Sequence, residues 1–444
     1  MNLLNYFSSA KSKTPAVELP AAGVYHFLRQ NEVEKSRLHL RLDNDGTGLL
    51  IINANRVYQL NPTAAAMMFF ALHKIPGDKA AAKLHKKFNA PKDLLVSDYG
   101  VIQDQLQALI SNESCPICEL DLETTAPFST RPSAPYRMDL AVTYRCNNAC
   151  AHCYNGRPRN YPELSTQEWF KILDDLWKIG IPHIVFTGGE PTLRDDLPDL
   201  IRHAEANGQI TGINTNGRKL KDKVYLQKLI DAGLDHVQIT FESHIAEIHD
   251  QMVCHSGAWQ ETVEGLKNAV ESNMYVMTNT TMLTHNKAAI PDTLVFLGQL
   301  GLKTIGLNAL IYSGHGATVG TGLSESELQP ILETAQIITN KYEQRLIWYT
   351  PTQYCNFDPV QMGLGVKGCT AALYNMCIEP NGDVIPCQSY YQSLGNILTQ
   401  PWEKIWNHDL AVSLRERHNL PEKCNDCTLL SECGGGCPLA AKVK

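Results

Sequence analysis

MDLAVTYRCNNACAHCYNG, residues 138 to 156, runs from an apolar, β-favouring stretch straight into three cysteines, with three and then two residues between them. A strand ending in such a loop places its thiols at the C-terminal end of the sheet, where chemistry gathers in parallel α/β folds. Three ligands also leave a vacancy, which a closed four-ligand metal site lacks. Working outward, HIVFTGG, ITGINTNG, HVQITFES, YVMTNTTM and TIGLNAL alternate with amphipathic helices, so residues 136–345 predict six strands in repeated βα units. In the first crossover Ser165 and Glu168 make a capping box. Trp169, Phe170, Leu173, Leu176 and Trp177 form one apolar stripe, and Gly180 supplies a stop. Right-handed crossovers then predict a parallel sheet curled into a partial barrel.

The chain has 444 residues, 43% apolar and 19% charged, enough for two or three domains with their own cores. Its N-terminus, MNLLNYFSSAKSKTPAVELP, has no basic segment followed by an apolar one, and no run of 18 apolar residues occurs, so a cytoplasmic protein without membrane spans is expected. In such a chain the 14 cysteines read as ligands or redox groups rather than disulfides. Net charge is -7, yet residues 1–110 carry 13 Lys and Arg against 9 Asp and Glu. That imbalance suits an acidic partner or is ordinary surface variation. Nucleic-acid binding would need a denser basic patch with interleaved aromatics and is not expected.

Cys146-x3-Cys150-x2-Cys153 after the first strand, followed by TGGEPTL (187–193) after the second, resembles the radical S-adenosylmethionine (SAM) enzymes. The resemblance implies that Cys146, Cys150 and Cys153 hold a 4Fe-4S cluster whose open iron chelates SAM. One electron then cleaves the sulfonium to a 5'-deoxyadenosyl radical, which abstracts a substrate hydrogen atom. It also implies that Gly188, Gly189 and Glu190 hold the methionine amine and that Thr215, Asn216 and Gly217 approach the nucleoside. Ser243 and Asn308, at later strand ends, either face the cofactor or serve as turn residues. The competing reading is a zinc site that borrows His152; otherwise His152 packs beside the cluster.

Cys369-x12-Gly382-x4-Cys387 with Cys424-x2-Cys427-x5-Cys433-x3-Cys437 resembles the SPASM extension of these enzymes, which carries two auxiliary iron-sulfur clusters. Carried over, Cys369, Cys387 and Cys437 share cluster I, with Cys355 as its favoured fourth ligand. Cys424, Cys427 and Cys433 share cluster II, whose fourth ligand is undefined because only PLAAKVK follows Cys437. Cys377 is either an alternative ligand or a buried strand residue, and Cys254 reads as structural. Cys115-x2-Cys118 fits no pattern; it would cap a cluster, bind zinc or do nothing.

Residues 22–110, short alternating strands followed by NPTAAAMMFFALHKI, DKAAAKLHKKF and DYGVIQDQLQALI, resemble the PqqD-like element that binds leader peptides. That likeness implies a three-stranded winged-helix module which accepts a leader as an added strand against its third helix. A polar linker, 111–135, carries the CxxC, and 350–444 forms the SPASM block. Together these resemblances imply an α/β enzyme that matures a ribosomally made precursor peptide, most simply by an intramolecular thioether, C-C or C-O crosslink, with flavodoxin or ferredoxin as electron donor. The alternatives are a SPASM enzyme acting on a tetrapyrrole side chain or a folded protein such as a sulfatase, and a non-catalytic metal scaffold that binds peptides.

Overall fold

The computed structural model describes residues 19–30, 35–52, 56–111, 132–157, 159–272, 274–418, 420 and 422–440. Cys115, Cys118 and nearly all of the predicted linker lie outside them. The chain divides into two compact units, one of residues 1–133 with 176–182, the other of 134–175 with 183–444.

In the first unit, β1 (Gly23–Gln30), β2 (Lys35–Leu42), β3 (Gly48–Ile52) and β4 (Arg56–Leu60) form an antiparallel sheet in that order. The sheet thus has four strands where three were expected. Helices α1 (Pro62–Leu72), α2 (Gly77–Phe88) and α3 (Lys92–Ser111) follow. Asn61 caps α1 by accepting the Ala64 N–H at 2.9 Å, and Pro62 fits the first helical position because that N–H would be unpaired anyway. Leu38, Leu40, Leu50 and Ile52 point from alternate strand positions into one core with Met68, Phe70, Leu84, Leu95 and Tyr99. The buried Tyr99 hydroxyl is satisfied by Ile75 O at 2.7 Å.

The second unit is built on a ten-stranded sheet. The six predicted strands are β5 (Arg137–Thr143), β6 (His183–Gly188), β7 (Ile210–Thr215), β8 (His236–Thr240), β9 (Tyr275–Thr281) and β10 (Thr304–Asn308), all parallel. The parallel β11 (Arg345–Trp348) continues them. Crossovers come from α4 (Thr166–Ile179), α5 (Leu197–Asn207), α6 (Lys223–Asp231), α7 (Ala246–Val253), α8 (Ala258–Val270), α9 (Ile290–Gln299) and α10 (Glu325–Lys341). The α4 capping box is present, with Ser165 N–H donating to Glu168 Oε2 at 2.8 Å, and Trp169, Leu173 and Leu176 are fully buried.

The Cys-rich C-terminal block joins this sheet. β12 (Asn375–Ile378) pairs parallel to β5, and β13 (Asp383–Ile385) and β14 (Gly395–Asn396) follow antiparallel. Cys377 lies on β12 opposite Asp139 and is fully buried.

Candidate active site

The cysteine loop leaves β5 at a β-bulge and is fastened from several elements. From β6, Gly189 N–H donates to Thr143 O at 2.8 Å and Glu190 N–H to Arg145 O at 2.9 Å. From α7, the carbonyls of Val253 and Met252 accept the N–H groups of Ala149 and Ala151 at 3.1 and 3.2 Å. Arg218 donates to Asn147 O at 2.6 Å and Asn148 Oδ1 at 2.8 Å while its Nε is held by Glu261. His315 N–H donates to Cys153 O at 2.9 Å. A loop so over-determined keeps its three thiols in one place before any cofactor arrives.

The two glycines of TGGEPTL are required by close backbone approach. A Cβ on Gly188, whose φ is +132°, would lie 2.0 Å from Thr143 O, and one on Gly189 would lie 2.4 Å from Arg145 O. The strand end therefore presses onto the loop that carries the thiols.

A cavity of about 1240 Å³ opens over these elements. Cys146, Cys150, Cys153, Gly188, Gly189, Thr215, Asn216 and Asn308 line it, and so do Cys369, Cys387 and Cys437. Three expected residues do not reach it. Glu190 is fully buried behind the wall, where its carboxylate accepts from Thr192 N, Thr192 Oγ1, Thr215 Oγ1 and Asn216 N at 3.1, 2.7, 2.7 and 2.7 Å. Burial raises its pKa above the usual carboxylate range, against the opposing pull of those donors. Glu190 thus braces the cavity wall. Gly217, with φ +76°, makes the turn behind Asn216. Ser243 lies beyond the end of β8, where its Oγ accepts the Ile245 N–H at 3.1 Å, and it does not line the cavity.

Glu242 is the polar group that sequence reasoning missed. Fully buried on the cavity wall, it accepts the Thr281 N–H at 2.9 Å and pairs with His152 Nε2 at 3.1 Å. Its signal was available in the parity of HVQITFES. A second missed group includes the cavity-lining Tyr144, Arg157 and Arg159. Arg159 stacks 3.3 Å from the Tyr144 ring centroid, Arg157 stacks 3.8 Å from that of Tyr391, and Glu379 accepts from Arg157 Nη2 at 3.0 Å and Tyr144 Oη at 3.1 Å. Glu379 is 222 residues from Arg157 and 235 from Tyr144 in the chain, beyond any local motif.

The residues fit the implied cofactors. Burial first, then neighbouring Cys153, Glu242 and Cys146, hold the Cys150 thiol well above its usual pKa, so the three sulfurs share one field. Among the described residues no three His, Cys, Asp or Glu groups converge as a single-ion site. Also lining the cavity, Asn279 Oδ1 and Asn308 Oδ1 are buried acceptors without a donor among the described residues, suited to a polar ligand such as a nucleoside. In the C-terminal block, burial and then Cys437 and Cys387 push Cys369 up to about 12. Burial raises Cys424 in turn, Cys433 adding to it, the Lys423 ammonium opposing it, and Cys355 and Cys427 adding again. Lys423, the residue before Cys424, places its ammonium 3.6 Å from Cys355 Sγ.

Comparison with protein families matches residues 140–297 to the radical SAM superfamily and 369–428 to the SPASM iron-sulfur cluster-binding domain. The chain is an enzyme with a radical SAM domain. Its cofactors are SAM and iron-sulfur clusters. The radical SAM fold is shared with Streptococcus suis SuiB bound to SAM, at 17% identity and TM-score 0.68 over 92% of this chain and 96% of that one. SuiB has also been solved bound to the precursor peptide SuiA, with TM-score 0.66 and 16% identity, over 91% of this chain and 95% of that one. In sequence, this enzyme is 28% identical over 332 residues to the Fe-coproporphyrin III synthase of Methanosarcina barkeri, covering 68% of this chain and 83% of the relative. It is 27% identical over 326 residues to the AdoMet-dependent heme synthase of Oleidesulfovibrio alaskensis, covering 66% and 80%. No helix of the described residues is long and apolar enough to cross a membrane.

Proposed function

We propose that this enzyme matures a ribosomally made peptide, binding it through the N-terminal unit and abstracting a hydrogen atom from an unactivated carbon of its core to close an intramolecular crosslink. The observation that carries this reading is the four-stranded sheet with three helices, which the chain adds to its radical SAM and SPASM segments. That addition gives the fold the extent of SuiB, a protein solved with a precursor peptide, over nine-tenths of both chains. The outer strands β1 and β4 offer sheet edges to which an extended leader would add, and the module follows the PqqD-like order of elements. The excess of Lys and Arg in residues 1–110 suits an acidic leader.

Cys146, Cys150 and Cys153 would hold the cluster that SAM binds, and the bound pair supplies one-electron chemistry for hydrogen-atom abstraction. The chain's own part is positional. Asn279 and Asn308 offer buried carbonyl oxygens to the cofactor, Glu190 fixes the Thr215–Asn216 turn, and the Gly188–Gly189 crossing fixes the thiol loop. The cavity also meets Cys369, Cys387 and Cys437, so a substrate held there would lie between the two sets of thiols. Removal of a hydrogen atom and a further electron from the substrate suits auxiliary clusters as acceptors, with a flavodoxin or ferredoxin as the reductant for SAM cleavage. Cytoplasmic residence belongs to the same reading.

The test is the mass of a candidate peptide after anaerobic turnover. Loss of two hydrogens supports the crosslink, and an unchanged mass, or no binding by the N-terminal unit, refutes the peptide reading. The sequence relatives named as coproporphyrin and heme synthases favour a second reading, a tetrapyrrole side chain; turnover of a coproporphyrin with loss of carbon dioxide would establish it. Alanine at Cys146, Cys150 and Cys153 together should abolish 5'-deoxyadenosine formation under either reading.

A further inference from the structure

Cys355 lies in the turn after β11, and that turn is clasped by the segment bearing the second set of thiols. On one flank, the Tyr354 N–H donates to Cys433 Sγ at 3.4 Å, and the same sulfur lies 3.5 Å from Thr352 O. On the other, Lys423, the residue before Cys424, places its ammonium 3.6 Å from Cys355 Sγ and 3.2 Å from Gln353 Oε1. Gln353 Nε2 in turn donates to Gly435 O at 3.1 Å. The turn is therefore pinned to residues 423, 433 and 435 at once. Cys369, Cys387 and Cys437 line the large cavity, whereas Cys355, Cys424, Cys427 and Cys433 do not.

We propose that Cys355 is the fourth thiolate of the auxiliary cluster held by Cys424, Cys427 and Cys433, and not a ligand of the cluster held by Cys369, Cys387 and Cys437. The contacts along the turn bring its sulfur to the set of Cys424, Cys427 and Cys433, whose fourth ligand the family pattern leaves undefined. The Lys423 ammonium beside that sulfur offsets part of the negative charge that four thiolates concentrate. Ligation releases the Cys355 proton and forms one Fe–S bond, with no change of oxidation state. The assignment rests on the cluster-binding domain and is independent of which substrate the enzyme takes.

The experiment uses the full chain, reconstituted anaerobically with iron and sulfide, with Cys355→Ala placed in two backgrounds. Cys369→Ala with Cys387→Ala removes the cavity-side cluster and should leave about eight irons, four per cubane. Adding Cys355→Ala there should lower the iron count by about one to four and change the Mössbauer spectrum. In the Cys424→Ala with Cys427→Ala background, the same addition should change neither. The opposite pattern, a loss only in the second background, overturns the proposal. A readout without substitution guards against misfolding: in the fully loaded wild-type protein Cys355 should resist iodoacetamide and become alkylated once iron is stripped. Exposed Cys254 should be alkylated in both states. Alkylation of Cys355 in the loaded protein would also overturn the assignment.

Discussion

Gly188→Ala is the substitution whose cost the structure states most directly. Its Cβ would stand 2.0 Å from Thr143 O, and real Cβ contacts begin near 3 Å, so strand and loop must separate by at least about 1 Å. The same oxygen accepts the Gly189 N–H at 2.8 Å, so the separation also strains that bond, worth about 1 kcal/mol. A φ of +132° adds about 1–2 kcal/mol for any side chain, and overpacking about 1–3 kcal/mol. Together the loss of stability should be about 3–6 kcal/mol. Because Thr143 and Arg145 lead directly into Cys146, a displacement of this size in the thiol loop should slow SAM cleavage by roughly 100-fold in whatever protein still folds. The assay is urea unfolding of the iron-free protein together with 5'-deoxyadenosine production by the reconstituted one. Gly257→Ala is the control, since φ there is +80° but nothing lies within 4 Å of the added Cβ. It should lose only the backbone contribution and keep its cleavage rate. A Gly188→Ala protein no less stable than the Gly257→Ala control and cleaving SAM at the wild-type rate would refute the close-crossing argument.

Glu190→Gln turns one of the two oxygens facing four donors into a donor itself, and should cost about 1–3 kcal/mol with weakened SAM binding through Thr215 and Asn216; equilibrium dialysis of the loaded protein would detect it, and unchanged affinity would show that the brace is dispensable. At the other end of the strands, burial first and the Arg137 guanidinium second, against Asp235, lower the His236 pKa from 6.5 to about 4, while its Nε2 meets His183 Nε2 at 2.9 Å. The folded pKa being the lower one, the unfolded chain alone gains the proton between pH 6.5 and 4, so stability falls with acid across that window and is insensitive to this group above it. The loss should be about 2 kcal/mol by pH 5 and about 3 kcal/mol below pH 4, and His236→Asn should flatten that slope in urea melts at pH 7 and pH 5.

The βα alternation, the capping box at Ser165 and the cysteine spacings were legible because each is set within one turn of chain or one strand. Glu190 shows where legibility stops: the motif names the residue, but its four donors come from Thr192, Thr215 and Asn216, and their convergence turns its carboxylate inward. Ser243 and Glu242 are neighbours in sequence, and only the partners that the fold supplies, Thr281 and His152 for Glu242 and the Ile245 N–H for Ser243, decide which of them meets the cavity.

Spacing along the chain, then, established by itself that this protein gathers thiols at a strand terminus and in two later sets, because ligand intervals and strand periods are covalent, short-range properties. Which thiol keeps company with which was decided in three dimensions. Cys355 meets Lys423 across 68 residues, and the Tyr354 amide meets Cys433 across 79, through the path of a turn that no local interval encodes. The same holds for β12, which the sheet recruits beside β5 from more than 200 residues away by pairing backbone groups that are indifferent to side-chain identity.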